Sequence, residues 1–401
     1  MTDASKLSPR EQAATLADGC EHVETRAELE ARIAAKGRLH VKLGIDPTGA
    51  FLHLGHAVVL HKMQQFVEFG HRVTLLIGDY TARIGDPSGR NESRPALTGE
   101  QIEANMREYQ SQAGTVLDLE QIEVMHNSTW LKPLTLVDLI RLMSQTTLAQ
   151  VLDREDFSKR YKAGVPIALH ELLYPIAQAY DSVAMACDVE LGGSDQLFNL
   201  MMGRDFQRHA GQTAQICMTL PILEGTDGAI RMGKSRGNWI GLTEPAAEQF
   251  GKLMSLPDAI LPRYAWLAAF WPKADCDRLA LDIAEGRVHP MDAKKALAEA
   301  IVARYHGAQA AAAARERFAA TVQRRELPAD LAEASVGPAR TLVEALIGVG
   351  FAHSKREAER LVAGGGVRID GAVCADPKHP IAVPPPLVLQ VGSRRFVRLI
   401  Q

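Results

Sequence analysis

The stretch that most constrains the fold is residues 39–69. An apolar run ending at Ile45 meets Asp46-Pro47-Thr48-Gly49, then His53-Leu54-Gly55-His56, then apolar residues at helical spacing from Ala57 to Phe69. The run before Asp46 predicts a buried strand, the proline and glycine break it, and the two histidines open a helix. A helix start carries unpaired backbone N–H groups and the positive end of the helix dipole. Strand, turn and helix in this order therefore predict an anion site to which two imidazoles add donors, with Gly55 leaving room for a flat ligand. Taken alone, two histidines three residues apart are more often satisfied surface or core side chains.

Around this stretch the chain reads as α/β. Arg72–Gly78 is a second apolar run ending in glycine, the second strand of a parallel βαβ unit. The loop after it, Asp79 to Arg94, contains Gly85-Asp86-Pro87-Ser88-Gly89-Arg90 and then Arg94. Ligands of open parallel sheets collect outside the carboxyl ends of the strands, so both loops are expected to face one crevice. A helix over 98–117, a strand at Ile122–His126, a helix at Leu134–Leu148 and the charged interruption Asp153–Lys162 predict an insertion. In the next helical stretch, His170 to Asp188, Tyr174, Gln178 and Asp181 are spaced four and three apart and share one face, as a ligand-facing row or an ordinary polar stripe.

Val189–Leu191 then enters Gly192-Gly193-Ser194-Asp195-Gln196, repeating strand, glycine turn and helix, and Met218–Leu223 predicts a short strand. The loop from Glu224 to Asn238 holds Arg231-Met232-Gly233-Lys234-Ser235, a basic stretch of low intrinsic order that suits phosphate, although Gly-Lys-Ser triplets are common.

At 401 residues, 46% hydrophobic and 23% charged, the chain has the composition of a soluble globular protein of two or three domains. Net charge is −3, but residues 340–401 carry 9 Lys+Arg against 5 Asp+Glu, or +4, leaving −7 on the first 339. A basic tail on an acidic body predicts a small polyanion-binding appendage or a solvated face. Alanine-rich helices fill Glu244–Arg325, the proline-containing 326–338 reads as a linker, and two short helices (Thr341–Val349, Ser354–Ala363) precede strand-like Val367–Ile369 and Leu387–Ile400. Lys355, Arg356, Arg360, Arg394, Arg395 and Arg398 are the phosphate-contact candidates there, or a solubilising face. Five widely spaced cysteines suggest neither a metal site nor a disulfide framework, and with no apolar leader or long apolar run a cytoplasmic location is expected. Pro9 to Ala35 reads as one or two surface helices without legible function.

In this order the motifs resemble those of class I aminoacyl-tRNA synthetases, His53-Leu54-Gly55-His56 matching the first signature and Arg231-Met232-Gly233-Lys234-Ser235 the second. Ile45-Asp46-Pro47-Thr48, Ile84 to Arg90, Tyr174-x-x-x-Gln178-x-x-Asp181 and Gly192 to Gln196 narrow the resemblance to the bacterial tyrosyl branch, and the last 60 residues are similar to its S4-type RNA-binding unit.

The resemblance implies a Rossmann-like parallel-sheet catalytic domain over 1–240, with an insertion near 115–165 that forms a dimer interface. It also implies a helical domain over 241–325 on the anticodon side of the tRNA and a small α+β S4-like domain over 339–401. The implied reaction is ATP-dependent activation of L-tyrosine followed by transfer to the 3′-terminal adenosine of tRNA(Tyr). Such chemistry works by positioning and charge stabilisation and needs no side-chain nucleophile. By motif position, Thr48, His53, His56, Arg231 and Lys234 are the catalytic set. Asp46, Gly55, Arg90, Arg94, Asp195, Met232 and Lys234 bind ATP, Asp195 at the ribose. Asp86, Tyr174 and Gln178 hold the amino acid's ammonium, Gln196 lies near its carboxylate, and Asp181 accepts from the phenol, where phenylalanine would leave a buried acceptor unpaired.

Mg2+ is expected to accompany ATP as substrate, with no tightly bound cofactor or metal. The expected partners are tRNA(Tyr), L-tyrosine, ATP and a second copy in a homodimer, not DNA or a membrane. Two departures stand out: some members carry tyrosine where this chain has Lys42, and the usual Lys-Met-Ser-Lys-Ser has Arg231 and Gly233 at its first and third positions. A tryptophanyl enzyme would share the phosphate signatures but is not expected to carry Asp181 with this tail. An RNA-binding protein that has lost activation is opposed by intact His53, His56, Asp181, Asp195 and Lys234.

Overall fold

Six strands form the first sheet in the order β1-β6-β5-β2-β3-β4: β1 His22–Glu24, β2 His40–Ile45, β3 Arg72–Ile77, β4 Glu123–His126, β5 Val189–Gly193 and β6 Ile216–Leu220. All neighbours are parallel except β1, which pairs antiparallel with β6 and was not legible in the sequence. The central strands are apolar runs because helices cover both faces, as parallel sheets require. The computed structural model describes residues 7–47, 49, 51–87, 98–323, 331–335, 341–381, 386–392 and 395–400, with backbone only at 235, 322 and 323. Thr48, Arg90, Arg94 and Arg394 of the expected site lie outside the described residues.

Helices α1 Pro9–Ala17 and α2 Arg26–Lys36 precede the sheet's core, and α3 Leu54–Glu68 connects β2 to β3. α4 Gly99–Ala113 leads to β4, after which come α5 Ser128–Leu131, α6 Leu136–Met143, α7 Leu148–Leu152 and α8 Glu155–Lys162. The insertion is thus four short helices, where one helix over Leu134–Leu148 and a charged interruption were expected. Its breaks fall where Thr135 and Thr147 cap new helices through Asp138 and Gln150. α9 Leu173–Met185 and α10 Leu197–His209 flank β5. β3 lies on one side of β2 and β5 on the other, so chain direction across the sheet reverses at β2, and such switch points open a crevice at the carboxyl ends.

The chain divides into two compact units, residues 1–244 with 256–293, and residues 245–255 with 294–401. Sequence had put the break at 240/241. The helices α12 Leu261–Leu267 and α13 Lys273–Ala284 instead belong with the sheet, because Arg263 Nη2 donates to Ile222 O (2.8 Å), Tyr264 OH to Glu224 O (2.6 Å), and the His61 and Phe270 rings meet at a tilt with centroids 4.0 Å apart.

In the second unit, α11 Ala246–Met254 meets α15 Ala308–Phe318 through Phe250 and Phe318 (5.6 Å between rings), with α14 Pro290–His306 preceding α15. The C-terminal piece has its own core of Leu342, Leu346, Val362, Val367, Leu389 and Leu399. There α16 Leu342–Gly348 and α17 Lys355–Ala363, capped by Thr341 and Ser354, pack on strands ordered β7-β11-β10-β8-β9. Those strands are β7 Glu333–Ser335, β8 Val367–Ile369, β9 Ala372–Val373, β10 Leu387–Val391 and β11 Arg395–Ile400. β7 pairs parallel with β11, so part of the expected linker is a strand of this sheet.

Candidate active site

A cleft of about 1070 Å³ opens at the carboxyl ends of β2, β3 and β5, lined among others by Asp46, His53, His56, Asp86, Tyr174, Gln178, Asp181, Asp195, Gln196, Arg231 and Lys234. One crevice thus gathers every described residue of the expected catalytic, ATP and tyrosine sets.

At the start of α3, the His53 backbone N–H donates to His56 Nδ1 (3.2 Å), and the two rings stand 3.9 Å apart. An accepting Nδ1 fixes the tautomer: neutral His56 carries its proton on Nε2. Loss of hydration pushes His56 down to about 4, and the same cause, with His56 and Arg231 nearby, holds His53 well below the usual imidazole range. Both rings are neutral donors at pH 7, so anion affinity here comes from N–H groups and the helix start. An ideal Cβ on Gly55 would lie 3.1 Å from the His53 ring and 3.8 Å from Met232 Cβ, a tight approach that any larger residue could make only by displacing the His53 ring by a few tenths of an ångström.

The second signature is held against the first. Leu54 N–H donates to Ile240 O (3.0 Å) and Leu242 N–H to Leu52 O (3.1 Å), so the chain leaving the basic loop pairs with the chain entering α3. Within the loop, Arg231 Nη1 pairs with Asp195 Oδ2 at 2.8 Å. Lys234 Nζ sits 3.5 Å above the Phe51 ring and 5.9 Å from Trp239. Sequence gave no hint of Asn238, which organises this loop: its Oδ1 accepts from Gly233 N–H (2.9 Å), and its Nδ2 donates to the carbonyls of Ile230 and Arg231 (both 3.3 Å).

The deep end is built around α9. Asp181, 3% exposed, accepts from Trp130 Nε1 (2.7 Å) and Asn127 Nδ2 (3.2 Å), two residues that no motif flagged. Burial pushes its carboxyl up to about 6 against Lys42 and these two donors. Asp46 accepts from Thr81 Oγ1 (2.7 Å) and from the Tyr174 hydroxyl, and loss of hydration raises it to about 7. Gly78, just past the end of β3, has to be glycine because a Cβ there would collide with this carboxylate and the Thr81 hydroxyl.

Asp86 is engaged by Arg154 Nη2 (3.0 Å) and Gln196 Nε2 (2.9 Å), and Arg154 Nε reaches Asp156 at 2.9 Å. Arg154, buried in the insertion, is a site residue that sequence reasoning missed; its guanidinium bridges two carboxylates. Asn199, equally unforeseen, donates to Gln178 Oε1 and Gln196 Oε1, each at 2.9 Å.

In the second unit, Lys355, Arg356 and Arg360 are exposed on α17, while Arg395 and Arg398 lie on opposite faces of β11. Arg395 donates to Phe351 O (2.7 Å) and Arg398 faces Glu333 (3.5 Å), so Arg395 and Arg398 do not form one patch.

Comparison with known proteins agrees with this geometry. Residues 34–323 match the family model of class I tRNA synthetases (W and Y), and residues 349–383 match the S4 domain. The tyrosine–tRNA ligase of Thermotoga maritima is 46% identical over 393 residues, covering 98% of each chain. That of Aquifex aeolicus is 42% identical over 395 residues, covering 98% of this chain and all of the relative. In fold, the chain resembles the tyrosyl-tRNA synthetases of Aeropyrum pernix (TM-score 0.63, 22% identity, 77% of this chain and 98% of that one) and, complexed with L-tyrosine, of Archaeoglobus fulgidus (TM-score 0.63, 23%, 77% and 99%). The chain belongs to the class I tRNA synthetases, within them to the tyrosine–tRNA ligase family.

Proposed function

We propose the following residue-level account of tyrosine–tRNA ligation in this cleft. L-tyrosine enters with its phenol toward Asp181 and its ammonium toward Tyr174, Gln178 and the Asp86 carboxylate. Gln196 lies beside the carboxylate. ATP lies across the switch point, its ribose at Asp195 and its phosphates along Asp46, Gly55, His53, His56 and Met232, with Thr48, Arg90 and Arg94 assigned there by motif alone. When the ribose takes Asp195, Arg231 is released toward the phosphates, and Lys234 follows the leaving group.

A tyrosine carboxylate oxygen then attacks the α-phosphorus, the bond to the bridging oxygen breaks, and pyrophosphate leaves. In the second step a hydroxyl of the terminal adenosine of tRNA(Tyr) attacks the carbonyl carbon and AMP leaves. Neutral His53 and His56 donate to charge that builds on the phosphate and move no proton of their own. Mg2+ is assigned as part of the ATP substrate.

The observation that carries this account is Asp181, a buried carboxylate held by two fixed donors at the closed end of a cleft whose mouth bears both phosphate signatures. Tyrosine-dependent ATP–pyrophosphate exchange tests it. Asp181→Ala is expected to lose most discrimination against phenylalanine, and unchanged discrimination would refute the assignment.

For the tRNA, the account assigns contact to the helical segment within 241–325 and to Lys355, Arg356, Arg360, Arg395 and Arg398. The insertion exposes Leu136 (73%), Val137 (56%), Ile140 (57%) and Leu148 (62%), an apolar surface that supports pairing with a second copy. Among the described residues no helix is long and apolar enough to cross a membrane, which is compatible with a cytoplasmic enzyme.

A further inference from the structure

One row below the cleft floor lies a buried charge pair that the reaction above does not use. In the parallel register Gly44 stands beside Leu76, and two residues earlier Lys42 stands between Thr74 and Glu190. Residues two apart on a strand share a face, so Lys42 and Glu190 point to the same side of the sheet as Gly44, which lines the cleft. The side chains of Lys42 and Glu190 are 1% and 2% exposed, with Lys42 Nζ 3.3 Å from Glu190 Oε1. The ammonium has no hydrogen bond of normal geometry. A buried ion pair is weak support for stability, since two apolar residues of similar volume commonly serve a core as well or better. Its neighbours suggest another reason for its presence.

Glu190 Oε1 accepts from Gln178 Nε2 at 3.2 Å, and Glu190 Oε2 accepts from Ser182 Oγ at 3.1 Å and from Gln215 Nε2. With its NH2 group on Glu190 and its oxygen accepting from Asn199, the Gln178 amide cannot flip, and it keeps a carbonyl lone pair for a cation. Lys42 meanwhile is the positive charge whose field acts on Asp181. We propose that the Lys42–Glu190 pair is a positioning device for tyrosine recognition, Glu190 fixing the Gln178 amide at the ammonium end and Lys42 supplying the charge that balances Asp181 at the phenol end. The proposal rests on the roles given above to Gln178 and Asp181.

Charged and polar groups face Asp181 from every side: Lys42 and Asp46 from β2 and its end, Glu190 from β5, Asn127 and Trp130 from the segment after β4. Burial raises Asp181 to about 6, and Lys42 opposes this more strongly than either donor, whereas Glu190 acts weakly in the other direction. Burial also works against the charge on Lys42, but Glu190, Cys187 and Asp181 outweigh it, so the ammonium is retained. Removing both charges together therefore leaves Asp181 with a higher pKa.

The test uses the full chain carrying Lys42→Met with Glu190→Gln, a neutral pair of similar volume, beside Lys42→Arg, Glu190→Gln and, as a control on the site, Asp181→Asn. Tyrosine-dependent ATP–pyrophosphate exchange is measured from pH 5.5 to 8.5, with thermal melting as the check on folding. The double variant is expected to lose about tenfold or more in kcat/KM for tyrosine, mainly through KM, to keep its KM for ATP within about twofold, and to shift the acid limb upward by about one pH unit. Glu190→Gln alone should raise the KM for tyrosine without moving the limb upward, and Lys42→Arg should leave the limb near that of the native chain.

A native KM and limb in the double variant overturn the proposal, as does a limb in Lys42→Arg displaced upward by about a unit. Should the double variant fail to fold, the two single variants decide by the same criteria. If instead Asp181→Asn keeps native tyrosine kinetics, the reading of the site has failed and the role of the pair with it.

Discussion

Lys234 is parked. Its ammonium sits 3.5 Å over the Phe51 ring, well inside the roughly 6 Å over which a ring quadrupole attracts a cation. Trp239, its own ring 5.9 Å from that of Phe51, forms a second and weaker wall. A lysine that stabilises charge on departing pyrophosphate has to leave this cage, so the cage competes with ATP for it. Phe51 is 43% exposed, which puts the contact toward the weaker end of cation–π interactions, about 1 kcal/mol. At about 1.4 kcal/mol per decade that is a factor of about 5 in an equilibrium constant.

Phe51→Leu keeps an apolar side chain and removes the quadrupole. In single-turnover formation of tyrosyl-adenylate, the apparent Kd for ATP should fall by up to about 5-fold while the rate at saturating ATP stays close to native. Lys234→Ala should slow adenylate formation about 100-fold or more, and on that background Phe51→Leu should have no further effect on ATP affinity. If Phe51→Leu weakened ATP binding, or lowered the saturated rate about tenfold, the ring would be supporting the productive position of Lys234 and the competition argued here would be wrong.

Asn238→Ala removes the acceptor of Gly233 N–H and the donor to two loop carbonyls, at about 1–3 kcal/mol for each buried group left unpaired; hydrogen exchange across residues 224–238 should quicken, and unchanged protection would rule out the loop-organising role. Changing Arg356 and Arg360 together to Gln should weaken tRNA binding and flatten the log–log salt dependence by about 1–2 in slope, an effect absent if neither side chain meets phosphate. For stability, His56 falls to about 4 on folding from an ordinary 6.5, so its contribution is complete above about 6.5 and is lost as pH drops through about 4. The melting temperature should therefore decline over that window less steeply in His56→Gln than in the native chain, and equal slopes would refute the depressed value. Asp46, raised to about 7, contributes with the opposite sign: its part is complete below about 3.8 and is lost as pH rises to about 7, so Asp46→Asn should lessen the loss of stability between about pH 4 and 7.

What was legible beforehand follows from where the information sits. His53 to His56, Arg231 to Ser235 and the α9 row are local: a few adjacent residues fix a turn, a helix start or one helix face, so the sequence carries them whole. The missed residues are those whose role exists only across the fold. Arg154 read as one charge among many between Asp153 and Lys162, yet α8 begins just after it and buries its guanidinium between Asp86 and Asp156. Asn127 and Trp130 follow β4 without a pattern, and only the parallel register against β3 brings them to Asp181. β1 escaped because three half-buried residues hold no alternation to detect.

The Lys42–Glu190 pair did leave a trace. Val41-Lys42-Leu43 and Val189-Glu190-Leu191 each interrupt an apolar strand with one charge, the signs are opposite, and in the sheet the two residues stand side by side. A strand buried on both faces cannot take one of those charges alone, because an unpaired ion in a core is far costlier than a paired one. Two such interruptions in neighbouring parallel strands therefore imply each other, and that inference requires the strand order, which neither strand's sequence contains. Once β5 is known to lie beside β2, the lone charges become a pair, and the Gln178 amide bonded to Glu190 ties that pair to the amino-acid end of the cleft.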